Sequence, residues 1–280
     1  MRITFRDLFD GIRNSLKKNL KNRNFLLGSI IVAFMLLFMI IGKIATPYDP
    51  NAIDAGLKFA PVSWQHWFGC DNFGRDILSR VMEGTLATFK VALGTVLIGT
   101  FLGIIIGSVT GFYGGILDEV LMRINDAVFA FPSILLALLF ISLLGSGTYQ
   151  VMIALGIAFT PSFARIVRAE FMKARNMDYV RQAQLLGAGE LRIMFVHILP
   201  NIGTVLTSSI MIGFNNAVLA EASMSFLGIG VQPPDPSLGR MLSEAQTYLF
   251  KAPNYAIFPG LAIILLILGF SLLSDAFNDN

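Results

Sequence analysis

The chain has 280 residues, 55% of them hydrophobic and 14% charged, with a net charge of +3. A soluble domain carries about a quarter charged residues, so this balance excludes an ordinary soluble fold and points to a chain that crosses a membrane several times. A single cysteine, Cys70, excludes an internal disulfide, and two histidines, His66 and His197, are too few and too dispersed for a metal site built by this chain alone.

Residues 1–24 read as a cytoplasmic amphipathic segment. Phe5, Leu8, Phe9, Ile12, Leu16 and Leu20 recur at helical spacing among basic residues, which predicts a helix lying on the inner membrane surface as an anchor. The first apolar run begins at Phe25. It is too long for a signal peptide and lacks a small-residue cleavage site, so it reads as a retained span. Six stretches reach the roughly 20 apolar residues that a membrane helix needs: residues 25–46, 88–111, 127–144, 150–167, 201–226 and 255–273. Together, residues 25–280 form the membrane domain, with a long outer loop at about 47–87 and a cytoplasmic loop at about 168–200.

The cations set the orientation. Arg2, Arg6, Arg13, Lys17, Lys18, Lys21 and Arg23 lie before the first span, and Arg168, Lys173, Arg175, Arg181 and Arg192 between the fourth and fifth. The positive-inside rule then puts both termini in the cytoplasm and His66, Cys70 and Arg240 on the far side.

Several residues stand out along the spans. Lys43, near the end of span one, is placed to snorkel. Gly74-Arg75-Asp76 opens a short outer helix, with Arg75 and Asp76 as an ion pair or cap, or as a docking point. Gly99, Gly103, Gly107 and Gly111 repeat every four residues in span two, leaving one face bare for close packing within the chain or for a sliding interface. Glu221 sits at membrane depth near the outer end of span five; burying its charge unpaired would cost several kcal/mol. A hydrogen bond to the following loop, a place on a transport path and proton coupling are its possible roles. Gln232-Pro233-Pro234 and Pro236 make a rigid extended turn at the outer face.

Residues 168–200 turn polar between two apolar runs. Ala183, Leu185 and Leu186 favour helix, and Gly187 and Gly189 interrupt it. The spacing predicts a helix stopping at Gly187 and a second one from Glu190, whose charge suits a helix N-terminus. On these residues alone, an ordinary connection and a docking knob fit equally well.

Resemblance separates the two. Arg181-Gln182-Ala183, then Gly187, then Ile198-Leu199-Pro200 resembles the cytoplasmic loop of permeases of ATP-binding-cassette importers, which reads Glu-Ala-Ala, three residues, Gly, and ends in a Leu-Pro-like run; here Arg181 and Gln182 replace its Glu and first Ala. "HWFGCDNFGRDILSR", His66 to Arg80, resembles the outer signature of dipeptide, oligopeptide and nickel permeases, with Cys70 where Thr is usual. "EASMSFLGIGVQPP", Glu221 to Pro234, resembles their span-five signature. The resemblance implies an all-α, six-span type I importer permease, the second, short-tailed subunit of a pair. It implies that Arg181, Gln182, Ala183, Leu186, Gly187 and Ala188 couple to an ATPase. Gly69, Asp71, Gly74, Arg75, Asp76 and Arg80 would form the outer-face signature, and Glu221, Ser225, Gly228, Gln232 and Pro233 the span-five signature.

No phosphate-binding Gly-x-x-x-x-Gly-Lys-Ser/Thr loop is present, and no nucleophile–base constellation stands out. The expectation is therefore a transport subunit without catalysis, metal or cofactor of its own and with no nucleic-acid partner. The resemblance implies that ATP and Mg lie on two separate ATP-binding subunits and that a sibling permease and an extracytoplasmic binding protein complete the importer in the inner membrane of a prokaryote. Peptides are the expected substrate, with nickel or a metal–chelator complex as the alternative. A stand-alone secondary transporter would carry several intramembrane carboxylates or broken half-helices; the sequence offers one candidate, Glu221.

Overall fold

A computed structural model describes residues 22–278. The expected amphipathic anchor at residues 1–24 lies almost wholly outside the described residues. The regular structure among the described residues is helical: α1 (Arg23–Ile44), α2 (Ile77–Tyr113), α3 (Gly115–Phe129), α4 (Ser133–Leu144), α5 (Thr148–Ala174), α6 (Asp178–Leu185), α7 (Gly203–Phe226), α8 (Leu238–Gln246) and α9 (Asn254–Asn278). Between α6 and α7 the chain makes short helical pieces at Glu190–Arg192 and Leu199–Asn201, joined by a wide π-helical turn at Ile193–Ile198. Five helices are long and apolar enough to cross a membrane, and six spans result if the bent pair α3–α4 counts as one.

Three expectations are corrected. Span three is no continuous helix over residues 127–144: α3 and α4 meet at 89°. Pro132 precedes α4, and a proline disfavours helical backbone in the residue before it. Gly74-Arg75-Asp76 opens no separate outer helix. Asp76 caps α2 itself, accepting from Ser79 N at 2.8 Å. α2 therefore begins eleven residues before the predicted edge of its apolar stretch and, at 37 residues, is about 55 Å long. α5 likewise runs on to Ala174. Hydropathy marks how deep a residue lies in lipid; helix length is set by caps and packing, and both these helices run beyond their apolar stretches.

The bare face of α2 packs on α5. A Cβ placed on Gly103 would lie 2.5 Å from the Phe163 Cβ; on Gly107, 2.5 Å from the Ala164 carbonyl; on Gly111, 2.6 Å from the Arg168 carbonyl. The two backbones thus touch along several turns, the close approach that small residues permit in membranes. Around this pair lie three apolar clusters. One joins α1, α2, α7, α8 and α9 through Met35, Val81, Phe214, Met241 and Tyr255. A second joins α4 and α5 through Ile141 and Leu155. The third, through Phe171, Val180, Ile193 and Ile198, sits under the loop that follows α5.

Candidate functional site

The loop after α5 forms a knob with a buried base and a bare tip. α6 is amphipathic. Val180 and Ala183 point into the third cluster and are buried, with Val180 supplying roughly 1.5–3 kcal/mol by its burial. Arg181 and Gln182 face outward. Leu185 and Leu186 are 88% and 86% exposed. The helix ends in a paired C-cap: Ala188 N donates to the Ala183 carbonyl at 3.0 Å and Gly187 N to the Gln184 carbonyl at 2.9 Å. That motif needs a left-handed residue in the position Gly187 fills, at φ +75°.

The base is tied to the membrane helices by polar contacts. Arg168 on α5 makes a two-pronged pair with Asp118 on α3, at 2.5 and 2.6 Å. Arg175 donates to the Phe112 carbonyl at the end of α2 at 3.2 Å, and the Tyr113 hydroxyl donates to Glu190 at 2.9 Å. The base of the knob, α2, α3 and α5 are thus joined by side-chain hydrogen bonds.

Of the six residues expected to couple here, Arg181, Gln182, Leu186 and Gly187 lie exposed at the tip. Ala183 is turned into the base and Ala188 is half-buried against it. Leu185 escaped the sequence reading. Its signal was the amphipathic register of α6, which leaves Leu185 outside once Val180 and Ala183 are inside.

The outer signature is interior. Gly69, Asp71, Gly74, Asp76 and Arg80 are buried and Arg75 is half-buried, so they present no open docking face. Arg75 pairs with Asp71 at 2.6 Å and with Glu244 of α8 at 3.0 Å rather than with Asp76, which fills the other expected role, the helix cap. Asp76 instead accepts from Ser79 and meets His66 Nδ1 at 2.9 Å. Arg80, 1% exposed, donates to the Pro50 carbonyl at 3.1 Å and lies 3.7 Å from both Asp71 and Glu244. Burial acts to raise the Glu244 carboxyl, but the Tyr255 hydroxyl bond and the guanidiniums of Arg80, Arg75 and Arg240 outweigh it and hold the group below its ordinary range. Burial, and next Asp76, push the Cys70 thiol up to about 11. The Arg75–Glu244 and Tyr255–Glu244 contacts were invisible in the sequence because their partners belong to separate elements.

In the span-five signature, Glu221 and Ser225 are fully buried. Ser225 Oγ donates to Glu221 at 2.6 Å and accepts from Val231 N at 3.1 Å. Glu221 thus holds the outer loop through Ser225. Gln232 Nε2 closes the same loop on the Gly228 and Gly230 carbonyls at 3.2 and 3.0 Å, while Gly228 and Pro233 are exposed.

On the opposite side of α5 a cleft of about 570 Å³ opens between α5, α7 and the α3–α4 bend. Ser133, Ser162, Ser209, Asn216 and Ser223 give it polar groups among Phe131, Phe159, Phe163 and Ile212, and no charged side chain lines it. Ser162, Asn216 and Ser223 are exposed on helices of membrane-spanning length, where polar side chains favour a wet cavity over lipid.

This chain matches the family described as "binding-protein-dependent transport system inner membrane component" over residues 99–280. It belongs to that family. The N-terminal membrane domain of oligopeptide transport permease C matches residues 13–61 of the permease. Among curated relatives, the glutathione transport system permease protein GsiD of Pectobacterium atrosepticum is 40% identical, the match covering 92% of this chain and 88% of that one. The dipeptide transport system permease protein DppC of Haemophilus influenzae is 36% identical over 92% of this chain and 90% of that one. Of solved structures, the inward-facing MetNI methionine transporter superposes with a TM-score of 0.59 at 18% identity, covering 70% of this chain and 93% of that chain. The likeness establishes a shared permease fold.

Proposed function

We propose that this chain is one of two permease subunits of an ATP-driven importer for short peptides, set in a prokaryotic inner membrane with both termini in the cytoplasm. The observation that carries the reading is the knob at α6: two leucines and two polar side chains stand in water on a base locked to three membrane helices. Exposed apolar tips of this kind mark a protein contact, and the polar Arg181 and Gln182 suit a rim around it. The partner is an ATPase subunit, one per permease. Closure of the ATPase pair pulls the knob and, through Arg168–Asp118 and the touching backbones of α2 and α5, reorients the cleft. A sibling permease completes the path, and an extracytoplasmic binding protein delivers the substrate.

Peptides fit on two counts. Both relatives described above carry peptide-class names, glutathione and dipeptide. The cleft offers neutral hydrogen-bonding groups and aromatic faces without a fixed charge, which suits peptide backbones with varied side chains. Nickel is not favoured.

The test is reconstitution of the full assembly in lipid vesicles. Labelled dipeptide, glutathione and nickel are offered with ATP, using wild type and a Leu185→Asp, Leu186→Asp variant. The expected result is peptide uptake by the wild type, with loss of uptake and of ATPase co-purification in the variant. An ATPase that stays bound and coupled to the variant would overturn the role of the knob. Uptake of nickel alone would overturn the substrate.

A further inference from the structure

Both tryptophans of the chain, Trp64 and Trp67, lie on one turn of the outer loop. They are 95% and 62% exposed, beside an exposed Val62. The turn itself is held firmly. His66 N donates to Ser63 Oγ at 3.0 Å, Trp67 Nε1 to the Trp64 carbonyl at 3.1 Å, and the Tyr48 hydroxyl to the Gln65 carbonyl at 3.0 Å. The Tyr48 ring lies 4.5 Å from the ring of His66, which is anchored on Asp76. Two large indoles are thus held outward by a built scaffold, left largely uncovered by the described residues.

Their level relative to the membrane follows from α1. Its 22 residues span about 33 Å, close to the roughly 30 Å hydrocarbon core. Ile40, Ile41 and Ile44 at its end are exposed, which is what a lipid-facing helix presents. Tyr48 follows Ile44 by four residues, a reach of at most about 14 Å. The indoles line one cleft with Pro47 and Tyr48, next to the exposed apolar end of α1. A second apolar tip lies on the loop before α9. Phe250 is fully exposed just before α9. α9 packs against α1, with Phe25 and Phe277 in ring contact at the inner end. Asn254 Nδ2 donates to the Phe68 carbonyl at 2.7 Å, joining the two loops.

We propose that Trp64 and Trp67, with Phe250 alongside, are seated in the outer-leaflet interface and take phospholipid at the boundary of headgroup and acyl chain. Amphipathic indoles favour this layer. The loop so anchored braces the outer ends of α1 and α9 against the bilayer while the cleft side of the molecule moves.

The experiment uses the fact that these are the chain's only two tryptophans. The full chain is reconstituted in phosphatidylcholine vesicles, brominated either high on the acyl chain or near its end, and iodide serves as the aqueous quencher. In the complete importer the same signal is the difference between wild type and the Trp64→Phe, Trp67→Phe variant. The expected result is strong loss of emission with the shallow bromines, less with the deep ones, and weak quenching by iodide. Full quenching by iodide with none by either lipid would overturn the proposal. So would emission that bromolipid leaves untouched but that an added extracytoplasmic binding protein shields, since the patch would then be a protein-docking face.

Discussion

At Gly187 no atom lies within 4 Å of where a Cβ would stand, so a substitution there is penalised by φ +75° and by nothing else. A β-branched residue held left-handed costs roughly 1–2 kcal/mol, and asparagine less. Gly187→Val is expected to lower the equilibrium constant for forming the docking-competent tip by roughly 5–30-fold, with Gly187→Asn much nearer wild type. Peptide-stimulated ATPase rates of the reconstituted assembly measure this. Equal loss in both variants would mean that any side chain at the tip blocks the partner. Glu244 makes a different prediction. Its folded pKa is depressed, so its contribution to stability is complete above the unfolded value of 4.5 and is lost as pH falls through the lower folded value. Glu244→Gln should lower stability near neutral pH and flatten the acid limb of a pH–stability curve followed by thermal unfolding. A variant curve parallel to wild type would remove Glu244 from the network. Gly187 was legible in the sequence because a helix stop needs a residue of its kind. The partners of Glu244 were not, because Arg75 and Tyr255 reach it from other elements.

Among the elements, α2 shows what periodicity can and cannot say. Glycines at every fourth position announced a bare face, and the structure shows α5 packed against it; the sequence could not name α5, since spacing in one helix carries no address for its neighbour. Gly107→Ala would bring a methyl to 2.5 Å from the Ala164 carbonyl, a backbone atom. The overpacking cost of about 1–3 kcal/mol should exceed the roughly 1 kcal/mol that alanine gains over glycine in a helix. Gly260→Ala in α9, where nothing lies within 4 Å, should keep only the gain. Thermal unfolding of the two variants in the same lipid is therefore expected to move in opposite directions. If Gly107→Ala were neutral, α2 and α5 would not be in backbone contact and could not move as one body. The bend between α3 and α4 was missed for the converse reason: residues 127–144 are apolar apart from Ser133 and Ser142, and hydropathy does not register a change of direction at Phe131-Pro132.

Across the whole molecule, the knob and the cleft lie on elements joined by the α2–α5 contact, while the outer signature fixes α2 to α8 through buried charges. Alternating access then needs the cleft to meet water from each side in turn. The chain's own chemistry allows a direct measurement. Cys70 is buried with its thiol raised to about 11, so it is silent toward thiol reagents at neutral pH and the native background can carry a second cysteine. Asn216→Cys and Ser162→Cys, both in the cleft, should react with a membrane-impermeant thiosulfonate, since a thiol facing water can ionise. Leu268→Cys on the exposed face of α9 should not react if that face meets lipid. Holding the assembly with a non-hydrolysable ATP analogue should switch the side of the membrane from which Asn216→Cys is labelled. Labelling from one side in every nucleotide state would leave the cleft as a static vestibule. Its absence from both sides would place the path elsewhere and leave Ser162, Asn216 and Ser223 as contacts to the sibling permease.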